Sequence, residues 1–185
     1  MQTEDTQKQL GLFHKLGHTL LQQGRNFIKN AYKLSPKIFT RTEVLTFLNQ
    51  ETGIPINSIS LADEKFYVET LDKWGQIIDY DLIDSQEYYS DWRDCDNFAL
   101  LYTSQASFIY GLNSCPTAFG DIYDAKTGAY LFRHAFNIII THQDGVLKLK
   151  IYEPQTDESM EWVKGKGSIS ERLGWRYTCD WILAF

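Results

Sequence analysis

Two alternating segments meet at Asp144-Gly145, and this feature constrains the fold more than any other. Asp-Gly is a strong two-residue hairpin turn, because both central residues must take positive φ. Residues 134–141 read His-Ala-Phe-Asn-Ile-Ile-Ile-Thr, and residues 146–153 return as Val-Leu-Lys-Leu-Lys-Ile-Tyr-Glu. Leu147, Leu149, Ile151 and Glu153 fall on one face, with Lys148, Lys150 and Tyr152 on the other. With a two-residue turn, Ile140 faces Leu149, Ile138 faces Ile151, Phe136 faces Glu153, and His134 faces Gln155. One sheet face is therefore apolar until its last two rungs, which carry an imidazole, a carboxylate and an amide. His134 and Glu153 become diagonal neighbours, ~7–8 Å apart at the backbone and within side-chain reach. Asn137 points to the opposite face.

Other elements are legible around this hairpin. Residues 8–33 carry Leu10, Phe13, Leu20, Leu21, Phe27, Ile28, Ala31 and Tyr32 at helical spacings, and Ser35-Pro36 ends the run. Residues 42–51 predict a second helix, capped by Thr42 and stopped by Gly53. Residues 54–62 and 113–130 read as loops. Residues 63–84 are ambiguous, with Phe66, Val68 and Leu71 suited to a helix and Ile77, Ile78, Tyr80 and Leu82 to a strand. Residues 95–110 predict a long helix closed by Gly111, and a last strand is expected over about 175–185.

Charge divides the chain. Residues 1–41 hold seven Lys/Arg against two Asp/Glu, whereas residues 42–100 hold three against thirteen. The net charge of −6 argues against general nucleic-acid binding. The basic start suits an arm for an acidic partner, a membrane surface or nucleic acid, or a segment that lies against the chain's own acidic middle, and the last is favoured. No stretch approaches the roughly 20 apolar residues of a membrane span, and the start lacks the order of a secretory signal. Three cysteines, Cys95, Cys115 and Cys179, predict free thiols.

Cys95 lies in Asp91-Trp92-Arg93-Asp94-Cys95-Asp96-Asn97-Phe98, at the expected start of the long helix. A helix N-terminus and a nearby imidazolium both stabilise a thiolate, while Asp94 and Asp96 oppose it. His134 follows Cys95 by 39 residues, and Glu153 follows His134 by 19. A thiol, an imidazole and an acid in this order suit nucleophilic chemistry.

These motifs, Asp94-Cys95-Asp96-Asn97-Phe98-Ala99, His134-Ala135-Phe136-Asn137 and Glu153-Pro154-Gln155, resemble a papain-like cysteine-hydrolase domain. The pattern is similar to the C-terminal domain of the Marasmius oreades agglutinin and to related bacteriophage and transglutaminase-like proteins. The resemblance covers roughly residues 86–158. It implies an α+β fold, in which a helix bearing Cys95 at its N-terminus packs on an antiparallel sheet, with residues 1–40 as a basic helical extension and 41–185 as the domain. It implies a Cys95–His134–Glu153 triad that cleaves or transfers an amide or acyl group of a peptide or protein substrate. Position 89 is Tyr where such enzymes carry Gln, so Gln86 or the Cys95 amide becomes the expected oxyanion donor. Trp92 and Gln155 join Gln86 as expected substrate contacts. No cofactor is required, although Asp91, Asp94 and Asp96 offer oxygen ligands suited to calcium. Two alternatives stand beside this expectation: a murein-degrading NlpC- or CHAP-like amidase or endopeptidase, and a non-catalytic binding or virion-associated module. A cytoplasmic or virion-associated location is expected.

Overall fold

The computed structural model describes residues 15–17, 19–20, 22–24, 26–28, 30–81, 83–89 and 94–184. The chain divides into two compact units, residues 1–34 and 35–185. In the first unit the described residues from 15 to 32 are helical (α1).

The second unit is built mainly of strands. β1 (Lys37–Thr40) leads directly into α2 (Arg41–Thr52). The cap of α2 is Thr40 rather than Thr42. Its hydroxyl accepts from the Glu43 N–H while the Glu43 carboxylate accepts from the Thr40 N–H, and Gly53 closes the helix at φ 75°. β2 (Ile59–Leu61), β3 (Lys65–Val68) and α3 (Leu71–Ile78) follow. The ambiguous stretch thus resolves opposite to the local pattern. Phe66 and Val68 lie on a strand because β3 pairs with β1, and Ile77 and Ile78 end a helix that buries them. α4 (Cys95–Gln105) runs on into a wider π turn at Ala106–Tyr110, and Gly111 ends it at φ 71°.

The main sheet contains β4 (Thr117–Asp124), β5 (Tyr130–Gln143), β6 (Val146–Glu153), β7 (Glu158–Glu161) and β10 (Trp181–Ala184), together with β2. Its order is β2-β10-β4-β5-β6-β7. β8 (Ser168–Ser170) pairs with β9 (Trp175–Tyr177), which in turn pairs with β4. The β2–β10 pair is parallel, while the pairs from β10 through β7 are antiparallel.

The expected α+β arrangement of a papain-like helix on an antiparallel sheet is corrected by this architecture. Although α4 starts at Cys95 and packs on β5, the eight strands of a mixed sheet dominate the unit. Two of the unexpected strands, β2 and β4, lie in segments read as loops. In 117–124 the interior Gly120 looks like a loop signal, but a Cβ there would lie 1.8 Å from the Thr178 carbonyl oxygen. The glycine marks a close backbone crossing within a strand.

The hairpin register follows from its turn. Asp144 and Gly145 have φ of 53° and 85°, and opposite partners run from Gln143↔Val146 to Asn137↔Tyr152. Ile138, Ile140, Leu149 and Ile151 enter one apolar core with Ala118, Ile122, Phe136 and Ile182, and with Val44, Leu48, Phe66 and Val68 from the first elements of the unit. Beyond Asn137↔Tyr152 the ladder stops. Glu153 has no β5 partner across from Phe136 and keeps only its pairing with Glu158 of β7, on the other edge of β6.

Candidate functional site

The parted end of the β5–β6 ladder is where polar side chains gather. His134 Nε2 lies 2.6 Å from Glu153 Oε2, and both side chains are buried, at 5% and 1% exposure. The Tyr177 hydroxyl donates to the same Glu153 oxygen at 3.2 Å, and Glu153 Oε1 accepts from the Gln155 N–H at 3.3 Å. Phe132, Phe136, Trp175 and Tyr177 surround the imidazole. Burial depresses the His134 pKa, but hydrogen bonds to Cys95 and Glu153 and their charges outweigh it, raising it to about 9.

Cys95 opens α4, half-buried and hydrogen-bonded to His134. The structure thus brings Cys95, His134 and Glu153 together. Among the three free thiols, burial pushes Cys115 well up and Cys179 up to about 12. Neither has the imidazole neighbour that Cys95 has.

Asn137 determines where α4 sits. Its Nδ2 donates to the Ala99 carbonyl and to Thr103 Oγ1, both at 3.0 Å, and Thr103 Oγ1 lies 2.9 Å from Thr117 Oγ1. This buried polar tie joins the helix to β4 and β5. Strand parity places Asn137 on the face away from His134, but gives no sign that a helix carbonyl waits there.

The other expected contacts divide. Gln86 and Gln155 line one groove of about 320 Å³ with Tyr88, Phe98, Glu153 and Trp175. Gln155 and Thr156 both line this groove, and among the described residues Gln155 Nε2 and Thr156 Oγ1 are buried without a hydrogen-bond partner. Trp92 and Asp91 lie outside the described residues. Asp94 occupies the N-cap position of α4, its backbone N–H donating to Asn97 Oδ1, and Asp96 Oδ1 accepts from the Asn97 N–H. These two carboxylates belong to the helix start. A different trio, Asp81, Asp84 and Asp157, places carboxylate oxygens within 4.8 Å of one another among the described residues. Desolvation raises the Asp81 pKa to about 6 and also raises that of Asp157. The Tyr152 hydroxyl sits between them, 3.1 Å from Asp81 Oδ2 and 2.6 Å from Asp157 Oδ1. Their separation of more than 70 residues left no sequence pattern to find them by.

No protein-family model and no curated protein matches the chain. Solved structures do. One described as a PSL1a–E64 complex matches with a TM-score of 0.55 and 19% identity, covering 79% of this chain and 51% of that one. Another is Polyporus squamosus lectin bound to the human-type influenza-binding epitope Neu5Acα2-6Galβ1-4GlcNAc, with a TM-score of 0.53 and 18% identity, covering 79% of this chain and 49% of that one. The chain spans about half the length of each, and at this identity the likeness is one of fold.

These neighbours correct the papain-like family expectation and, with it, the cysteine-hydrolase reading: the matching structures are those of a lectin. The expectation of a papain-like cysteine protease falls with it. The motifs were short, and each reported only a local event, a helix start or a strand. Such events leave the architecture of the sheet undetermined. Among the described residues, no helix is long and apolar enough to cross a membrane.

Proposed function

We propose that this chain is a non-catalytic binding module and that its ligand sits in the groove beside His134 and Glu153. The observation that carries the proposal is the pair of buried, unpartnered polar atoms on two residues lining that groove, Gln155 Nε2 and Thr156 Oγ1. Leaving such a group unsatisfied costs about 1–3 kcal/mol, and a ligand toward which these side chains turn recovers this. Trp175, Tyr88 and Phe98 add aromatic surface, while Gln86 and Glu153 add polar edges. A few polar groups set among aromatic walls are the usual composition of a small-molecule site. Of the Cys95, His134 and Glu153 cluster, Glu153 lines this groove and is hydrogen-bonded behind it to His134. The fold likeness to a lectin makes a saccharide the leading ligand class. Binding needs no cofactor, and the carboxylates of Asp81, Asp84 and Asp157 have the oxygen donors that calcium takes.

The test is calorimetric titration with Neu5Acα2-6Galβ1-4GlcNAc, a small panel of neutral oligosaccharides, and E64. Saturable binding of a saccharide, lost in Trp175→Ala and weakened in Gln155→Ala, supports the proposal. The result that overturns it is an E64 adduct on Cys95, seen by intact mass, together with turnover of a peptide amide. Failure of every saccharide to bind would overturn the assigned ligand class.

A further inference from the structure

The first unit carries a second surface, independent of the groove. At about 100° per residue, the period of α1 collects Leu16, Leu20, Phe27 and Ile28 into one arc roughly 120° wide. Lys15 falls in the opposite arc, and the same spacing carried along the sequence of residues 8–33 puts Lys8, Arg25, Lys29 and Lys33 with it, although Lys8, Arg25 and Lys29 lie outside the described residues. Leu16, Leu20 and Phe27 are 53%, 58% and 74% exposed. Gly17 and Gly24 lie within the same apolar arc, and a Cβ at either would meet nothing within 4 Å.

Residues 1–34 hold five Lys/Arg against two Asp/Glu, although the whole chain carries −6. Positive charge is thus concentrated on this helix, opposite an apolar stripe, in a chain that is otherwise acidic. A helix with an apolar arc and a Lys/Arg-rich polar face lies in the plane of a lipid interface, and anionic headgroups attract the basic side. We propose that α1 is an interfacial helix that docks the chain on an anionic bilayer surface. Leu16, Leu20 and Phe27 enter the headgroup–acyl boundary, and the lysines and arginine remain at headgroup level. The acidic second unit, repelled by the same surface, is held there by this helix alone.

The test is co-sedimentation of the full chain with vesicles of phosphatidylcholine alone or containing about 30% phosphatidylserine. Partition is expected to rise at least roughly tenfold with the anionic lipid and to fall again at high salt. The double variant Leu20→Glu/Phe27→Glu should abolish pelleting, and Lys15→Glu/Lys33→Glu should remove the preference for phosphatidylserine. An unchanged thermal melt in both variants shows that the second unit is intact. Equal pelleting with both vesicle types, or none with either, overturns the proposal. So does a concentration-dependent dimer in light scattering that Phe27→Glu dissolves, because a second copy of the chain would then be what covers the stripe. Saccharide binding in the groove is read separately and does not move with these variants.

Discussion

The two ends of the β5–β6 hairpin obey different rules. At the turn, Asp144 and Gly145 set the register, and each residue from Gln143 to Asn137 has a partner across the ladder. At the far end the backbone pairing stops, and side chains take over: His134 to Glu153, Tyr177 to Glu153, Asn137 to α4. Backbone hydrogen bonds are insensitive to side-chain identity, so the turn end tolerates change. The parted end depends on particular atoms buried beyond the reach of water, where removing one partner leaves the other unsatisfied.

Truncation at the parted end should have the largest effect. Glu153→Ala leaves the buried imidazole without its acid and is expected to cost about 3–4 kcal/mol in urea unfolding. It should also change the pH profile. A histidine whose folded pKa is raised to about 9 contributes stability that is fully present below its unfolded value of 6.5 and lost as pH rises through about 9. Melts across that window should show this loss in the native chain and a smaller one in Glu153→Ala, where Cys95 still favours the charged imidazole.

Gly120, directly opposite His134, separates crowding from charge. Gly120→Ala places a methyl group against the Thr178 carbonyl and is expected to cost about 2–3 kcal/mol without altering that pH profile. A neutral result would show that the 178 segment yields easily.

Asp81 offers the opposite sign. Its folded pKa of about 6 exceeds the ordinary 3.8, so its ionisation opposes folding, and stability declines as pH rises from about 4 through 6. Asp81→Asn keeps an acceptor for the Ile83 N–H. It should flatten this decline and raise stability at neutral pH by about 1–2 kcal/mol. A destabilised variant with the decline intact would assign the pH dependence elsewhere.

At the turn end, Gly145→Ala meets positive φ and the flexible end of Lys37, and should cost about 1 kcal/mol. The smallest effect is expected on the exposed surface. Arg133 grips Asp180 with two 2.7 Å contacts, but both side chains are about half-exposed, so Arg133→Ala should change stability by less than about 1 kcal/mol.

Local signals carried parts of this protein faithfully. Asp144-Gly145 announces a turn and a register, and that register puts His134 and Glu153 within side-chain reach. Gly53 and Gly111 announced two helix ends. The same local logic failed where an element owes its conformation to a distant partner. Phe66 and Val68 are a strand because β1 pairs with them, and residues 117–124 are a strand because β5 and β10 flank them. The motifs around Cys95, His134 and Glu153 suggested a family through spacing, whereas the solved structures that match are of a lectin.

The amino-acid order by itself determined the hairpin, the helix beginning at Cys95 and the amphipathic period of α1. Each arises from turn chemistry and side-chain periodicity within a short window. The tertiary structure alone decided that Asn137 anchors α4, that Asp81, Asp84 and Asp157 converge, and that Gln155 and Thr156 line a groove with buried polar atoms unmatched. These outcomes depend on which distant segments become neighbours, and that choice is a sum of many small packing energies that no single stretch of sequence displays.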